Sequence, residues 1–468
     1  LKTKKNIIYI VAATVLVGAA VLVPSLKMKG QRQAVEEERQ DTVFLNRVLT
    51  NGMSDVRDLE KMDAKIERYM QYWHIHGAQL AVMRGDSLLY CKGYGIADEL
   101  GCVLCDTTGI SVTGAGNTTG EEAAGAENSR KDETDVVEMT PGHIMRVASV
   151  SKLITAAGIM KLQEEGLLHL SDTVFGPHGI LSDTLYTAVI RNMKDYSKIT
   201  VEHLLRHQAG FRRDPVFSAN DVRMQLGLDC PPTLDDYSRL VLSRRLGYEP
   251  GGSQTYSNYG YMLLSRIIET VSGTGYEDYI QSHVLWPAGC YDMHIAGNYY
   301  SDKRPNESRY FVHEGSGKEV QEYNGSGRMV ERCYGGNDIS LLSGAGAWVC
   351  SAAELARFVA SIDGMEDVVP DVLSAESVNE MTEFTDSSRY SLGWNDTNPR
   401  KGWVRTGTLA GTNAIIKYFP DGECWIWITN TSTWKGPSHA KYTSTLFDRL
   451  RRDYSAKLPS RNLFEPQK

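Results

Sequence analysis

The strand signals of this chain lie at its two ends, and the long middle carries helical spacing instead. Near the front, Gln79 to Arg84 and Leu88 to Gly93 are apolar runs flanking Gly85-Asp86-Ser87, a hairpin signal. Near the end, Thr412 to Phe419 and Glu423 to Thr429 are rich in β-branched and aromatic residues, with Pro420-Asp421-Gly422 as the turn between them. Helices are expected from Ile66 to Trp73, from Ser149 to Glu165, and from about Ala440 to Arg452. In the second of these, Ile154, Ala157, Met160 and Leu162 recur at helical spacing and Gly166 is the stop. The middle, about residues 170–340, reads as mainly helical and loop-like. With 468 residues, the chain exceeds the ~250–300 at which one core stops growing, so one large two-part domain or two domains are expected. No repeat of a solenoid or propeller period is visible.

The amino-terminal run Ile7 to Val23 holds 17 uncharged residues, preceded by Lys2, Lys4 and Lys5 and followed by Lys27 and Lys29. As a helix it would reach ~25 Å, slightly short of a ~30 Å hydrocarbon core. Residues 1–29 are therefore expected to be either a cleaved signal peptide or an uncleaved signal anchor, with residues 6–26 in the membrane. Both readings place the rest of the chain outside the cytoplasm, membrane-anchored or exported. Residues 30–62 read as a charged spacer, 63–453 as the folded domain, and 454–468 as a loose tail. Within the domain, about 106–138 is rich in Gly, Ala, Thr and Glu and nearly free of large apolar groups. It is expected to be a flexible insertion, and its place before the Ser149 helix suggests a flap over a groove.

With 50 Lys and Arg against 58 Asp and Glu, the formal charge is −8, which argues against general nucleic-acid binding. Of the eight cysteines only Cys102 and Cys105 form a close pair. No second pair or His-x-x-x-His accompanies them, so zinc is disfavoured; a disulfide, a redox pair and free thiols stay open. Neither a metal nor an organic cofactor is implied, and the oligomeric state is not set.

The candidate chemistry begins at Ser149-Val150-Ser151-Lys152. A serine hydroxyl is a weak nucleophile until a neighbour takes its proton. Three residues on along a helix, Lys152 shares the face of Ser149 and its amine can reach the oxygen. At a helix start, free N–H groups also favour developing negative charge on Ser149. A second stretch, Tyr256-Ser257-Asn258, precedes another helix. A tyrosine beside an ammonium can be shifted toward phenolate and could then pass protons, while Asn258 can hold a substrate amide or fix the lysine. A third, Arg405-Thr406-Gly407-Thr408, leads into a strand. Gly407 permits close backbone approach, and the Thr408 N–H joins that of Ser149 as a candidate oxyanion hole. His207 reads as a hydrogen-bonded core residue, Trp394 and Trp403 as core, and Ser351-x-x-Glu354 as a helix capping box.

These three stretches, in this order, resemble the penicillin-recognising serine hydrolases: class C β-lactamases, DD-peptidases and related esterases and D-amino-acid peptidases. The resemblance covers roughly 63–453. It is supported by Gly93-Tyr94-Gly95-Ile96-Ala97-Asp98, by Met145 to Lys152, by Ile199 to Gly210 (ITVEHLLRHQAG), and by Tyr390-Ser391-Leu392-Gly393-Trp394. It implies an α+β fold of the β-lactamase/transpeptidase type. An antiparallel sheet built from both chain ends is flanked by helices, a mostly helical subdomain is inserted, and the active site lies in the groove between. It further implies Ser149 as nucleophile, Lys152 and Tyr256 as its base system, Asn258 as substrate or network ligand, and Thr406 and Gly407 beside the substrate. The substrate would be a small acyl compound or cell-wall peptide: a β-lactam, a D-Ala-D-Ala-type peptide or a simple ester. Arg405 departs from the family pattern, which has Lys or His there. The expectation is that it grips a substrate carboxylate and keeps Tyr256 acidic. The alternative is a catalytically silent member that binds cell-wall peptide or a protein partner.

Overall fold

The computed structural model describes residues 44–100, 135–365, 369–385 and 389–465. Six strands make the main sheet: β1 (Gly77–Arg84), β2 (Ser87–Leu100), β3 (Asp135–Glu138), β4 (Trp403–Leu409), β5 (Thr412–Tyr418) and β6 (Glu423–Thr429). Their order is β4-β5-β6-β1-β2-β3, and every neighbouring pair is antiparallel. The joint between the chain ends is β1 against β6, from Ala78 opposite Thr429 to Arg84 opposite Glu423. Both hairpins expected from the sequence are present, and this pairing makes them one sheet.

Alternation along the strands sends side chains to two separate cores. Leu80 and Val82 of β1, Ile415 of β5, and Trp425 and Trp427 of β6 face helices α1 (Glu60–Trp73) and α5 (His439–Tyr454). On α1 the buried positions Met62, Ile66, Met70 and Trp73 repeat every three or four residues, a single apolar stripe. Each such fully buried side chain contributes about 1.5–3 kcal/mol. Ala81, Met83, Ile426 and Ile428 point the other way. They join the core of α2 (Ser151–Glu164), α3 (Asn258–Ser272) and α4 (Ala352–Ala360). Helix α2 is buried on nearly all sides, from Ser151 through Met160. Tertiary packing on every side, not an amphipathic stripe, therefore holds it.

The middle contributes α2, α3 and shorter helices such as Val201–Leu205 and Leu234–Leu242, with a small hairpin at Glu319–Gln321 and Met329–Glu331. Three boundaries differ from the expectation. Residues 44–62 are not a spacer: Leu45, Leu49, Leu59 and Met62 are buried. There Ser54 Oγ donates to the Cys91 carbonyl at 2.8 Å and accepts from the Cys91 N–H at 2.9 Å. The end is not a loose tail, because Leu463 N–H donates to Leu88 O at 2.8 Å and Phe464 is buried beside the Arg357 guanidinium. Apolar side chains too few to show a period are nonetheless enough to dock a segment. The last residues assigned to the insertion, 135–138, form edge strand β3. The rest of the insertion with Cys102 and Cys105, and the apolar run at 7–23, lie outside the described residues. Among the described residues no helix is long and apolar enough to cross a membrane. The six described cysteines are free thiols, five of them buried.

Candidate active site

Ser149 sits in a one-turn 3-10 segment, Ala148–Val150, immediately before α2. The α-helix thus starts two residues later than expected, at Ser151. Ala148, just before the serine, has φ +49. Among the described residues four non-glycine positions have positive φ, and Ala148, His207 and Ser343 all lie around this crevice. Such conformations cost about 1–3 kcal/mol and persist only where packing over-determines them. Here β4 presses on the turn. A Cβ on Gly407 would fall 2.2 Å from Val147 O and 2.9 Å from Ser149 N, so only glycine lets the strand come this close.

The structure brings the three separated stretches together. Tyr256 donates its hydroxyl to Ser149 Oγ at 2.7 Å, and Lys152 Nζ lies 3.3 Å from the same oxygen. Lys152 Nζ also donates to Asn258 Oδ1 at 2.9 Å and to the Ala345 carbonyl at 2.5 Å. Of the two roles open to Asn258, the fold realises the tie to the lysine. Lys152 is fully buried, and its amine titrates well below 10.5, first through burial and then through the nearby Arg405 charge, with Asp214 opposing. A neutral amine has two N–H groups and one lone pair. With Ala345 O and Asn258 Oδ1 as its acceptors, Lys152 in the neutral form would have its lone pair left for Ser149 Oγ.

Tyr256 corrects an expectation. Burial pushes its hydroxyl above 10, and this outweighs the lowering by Arg405 and by the hydrogen bond to Ser149. It is a neutral phenol, not a phenolate, because an enclosed ring loses more hydration than one neighbouring charge restores. Its ring packs against His207 (centroids 4.5 Å) and Tyr390 (5.8 Å). His207 is a buried, hydrogen-bonded residue as read: its Nδ1 accepts from the Ser257 N–H at 3.1 Å, and burial holds its pKa well below 6.5.

Arg405 also departs from its expected use. Its Nε and Nη2 both donate to the Ser149 carbonyl, at 2.8 and 2.5 Å, and the side chain is 1% exposed. Only Nη1 is left, buried without a hydrogen bond. The guanidinium is spent on the Ser149 backbone, so no two-pronged grip on a substrate carboxylate is available from it. The Thr406 N–H and hydroxyl donate to Asn395 Oδ1 at 2.7 and 3.1 Å, and Thr408 Oγ1 donates to Asn413 Oδ1 at 3.2 Å. Gly407 brings β4, and with it Thr408, against the Ser149 N–H.

Sequence reasoning missed two contributors. Asp214 accepts from the Asn258 and Tyr259 N–H groups and so caps α3 beside the site. As one acid in a loop, it carries no pattern that points to it. Ala345 acts through its carbonyl. Gly344 packs so closely that a Cβ would meet Ser265 Oγ at 2.5 Å and Thr155 Oγ1 at 2.6 Å. The small-residue run Ser343-Gly344-Ala345-Gly346-Ala347 is the signal that marks this close approach. Trp394 is buried and packs on Trp403 at 5.6 Å, as core residues do. Ser351 Oγ caps α4 by accepting from Glu354 N–H at 3.1 Å, but Glu354 turns away to the Tyr291 and Asp292 N–H groups, so the reciprocal half of the box is absent.

Sheet, flanking helices and crevice together define the β-lactamase-type fold, which supports a serine hydrolase in general terms. The Beta-lactamase family model matches residues 62–444, and the chain belongs to that family. Among curated relatives, a penicillin-binding protein of Bacillus subtilis is 30% identical over 171 residues, 36% of this chain and 34% of that protein. The matches span less than two thirds of the length of the first such relatives. Among solved structures, the octameric penicillin-binding protein homologue from Pyrococcus abyssi aligns over 87% of this chain and 79% of its own, with TM-score 0.57 and 20% identity. The D-amino acid amidase from Ochrobactrum anthropi SV3 aligns over 84% of this chain and 99% of its own, with TM-score 0.59 and 18% identity.

Proposed function

We propose that this protein is a serine hydrolase that forms an acyl-enzyme through Ser149, acting on an amide or ester. The observation that carries the reading is the desolvated Lys152 amine, held by two acceptors and 3.3 Å from Ser149 Oγ. In acylation, Ser149 Oγ bonds to the carbonyl carbon while its proton passes to Lys152 Nζ. The bond to the leaving group breaks, and Tyr256 relays the proton from Lys152 to the departing oxygen or nitrogen. Water then attacks the acyl carbon, and Ser149 leaves and regains a proton. Backbone N–H groups of Ser149 and Thr408 are the proposed donors to the carbonyl oxygen as it becomes an anion.

Arg405 acts as a positioning residue through the Ser149 carbonyl. Thr406 and Gly407 form the substrate-side edge of β4. The substrate classes that fit are a D-Ala-D-Ala-type peptide, a β-lactam or a small ester. The naming of one relative as a penicillin-binding protein and of a structural neighbour as a D-amino acid amidase supports the first two. Export, anchored or cleaved, is proposed from the run Ile7–Val23.

The test is covalent labelling with a fluorescent penicillin and with a p-nitrophenyl ester, read by intact mass. The expected result is one acyl adduct on the wild type and none on Ser149→Ala. Absence of any adduct from either donor would remove the enzyme reading and leave a binding member of the family.

A further inference from the structure

The segment from Tyr390 to Asn395 walls one side of the crevice. At one end the Tyr390 ring lies 5.8 Å from that of Tyr256. In the middle, Gly393 has φ +82 and packs closely on α2: a Cβ there would fall 2.8 Å from Ala156 Cβ and 3.1 Å from Leu153 Cα. At the other end the chain runs antiparallel beside β4. Asn395 N–H donates to Val404 O at 2.9 Å, and Val404 N–H donates to Asp396 O at 2.8 Å. Along β4 the N–H groups of Val404, Thr406 and Thr408 turn to this outer edge, since the alternate residues bond to β5. The first is taken by Asp396 and the second by Asn395 Oδ1, while the third is the proposed oxyanion donor. A backbone N–H only donates, so the Asn395 atom facing Thr406 must be its oxygen. That fixes the amide. Its Oδ1 also takes the Thr406 hydroxyl, and its Nδ2 is left with two N–H groups that make no hydrogen bond with any described residue. The residue is half-buried.

We propose that Asn395 Nδ2 donates to an uncharged carbonyl oxygen on the leaving group, as in a chain or amide that continues past the scissile bond. The inference rests on the acyl-enzyme reading above and names the substrate class of that same site. Position sets the side. Thr406 and Thr408 are two residues apart, about 7 Å along a strand, so Asn395 sits that far along the edge from the oxyanion donor. Tyr256 serves the departing atom, and the wall that carries Asn395 packs on Tyr256 through Tyr390. Chemistry sets the charge. The Arg405 guanidinium is committed to the Ser149 carbonyl, and the Thr406 N–H and hydroxyl are committed to Asn395. A carboxylate at this place would meet a neutral amide, and desolvating a charge without a cation in contact costs far more than desolvating a carbonyl.

The test reads kcat/KM for three hippuric acid esters whose leaving groups are glycolamide, its isostere isobutanol, and glycolate. Each is measured on the wild type and on Asn395→Asp, which keeps an oxygen for the Thr406 N–H and loses both donors. On the wild type the glycolamide ester should be the fastest of the three. The ratio of glycolamide to isobutyl ester should fall about 3- to 10-fold in the variant, the scale of one neutral hydrogen bond. Taking the ratio cancels both the intrinsic reactivity of the esters and any general effect of the substitution. A second pair, p-nitrophenyl N-acetylglycinate against p-nitrophenyl pentanoate, moves the extra carbonyl to the acyl side, and its ratio should not change. A glycolamide ratio that the variant keeps, an equal fall in the acyl-side pair, or faster wild-type turnover of the glycolate than of the glycolamide ester would each overturn the proposal. Labelling of Ser149 by a p-nitrophenyl ester in the same preparations separates the failures: an unlabelled wild-type serine means the acyl-enzyme reading itself has failed.

Discussion

Two lysines lie on opposite sides of the central sheet, Lys152 fully buried and Lys92 partly buried, and their fates differ because their partners differ. On the α1 side, Lys92 donates to Asp63 at 2.8 Å and to Asp55 at 2.6 Å. Tyr90 and Tyr94 donate to the other oxygen of Asp63, at 2.6 and 2.9 Å. Burial lowers the Lys92 pKa, but the two carboxylates more than offset it, and the net direction is upward. On the α2 side, Lys152 contacts only neutral oxygens, of Ala345, Asn258 and Ser149, and the like charge of Arg405 acts on it more strongly than the opposite charge of Asp214. The same amine is a structural tie in one place and a candidate base in the other. A buried cation given carboxylates keeps its proton; one given neutral acceptors and a second cation releases it.

The linkage to stability has opposite sign at the two sites. Lys152 has a depressed folded pKa, so the unfolded chain binds more protons between that value and 10.5. Stability therefore rises with pH across that window and is lost as pH falls through the folded value. Lys92 has a raised folded pKa, so its contribution is complete below 10.5 and is lost as pH rises through the folded value.

Four substitutions break or sharpen this contrast. Lys152→Met should cut the acylation rate by about 10²–10⁴-fold, the usual scale of a positioned base, and flatten the rise of stability with pH; stopped-flow labelling and thermal melts across pH check both. Arg405→Gln removes the like charge and unpairs the Ser149 carbonyl. Acylation should fall about 10- to 100-fold, in line with the ~1–3 kcal/mol cost of an unpaired buried group, and the midpoint of its pH profile should move upward. A midpoint that stays put would show that Arg405 does not tune Lys152. Gly407→Ala should destabilise by about 1–3 kcal/mol through the clash with the Val147 carbonyl, seen as a lower Tm with slower acylation. Lys92→Met should cost no more than about 1 kcal/mol, since the pair is partly exposed and screened, and should leave the acylation pH profile unchanged.

Much of the architecture was legible because it is written in local pattern. Runs such as Thr412–Tyr418 and Glu423–Thr429 declare strands by residue type and by the turn between them. Ser149, Lys152 and Tyr256 were legible as residue types at informative positions. The ionisation of the site was not. The Lys152 pKa is set by how completely other elements surround α2, and the neutral state of Tyr256 by enclosure against His207 and Tyr390, neither of which has a local signature. The role of Arg405 was misread for the same reason. Its type suggests a carboxylate partner, whereas the register of β4 points it at the Ser149 carbonyl. Leu45, Leu49, Leu463 and Phe464 dock with too few apolar residues to form a period, so segments that read as spacer and tail belong to the domain.

The most direct test is an NMR titration of lysine side chains enriched with ¹³C at the ε carbon, with Lys152→Met and Lys92→Met providing the assignments. The account predicts that the Lys152 resonance titrates well below 10.5 while that of Lys92 titrates above it. A Lys152 resonance that stays that of an ammonium up to or beyond 10.5 would contradict the account, because no free lone pair would then face Ser149.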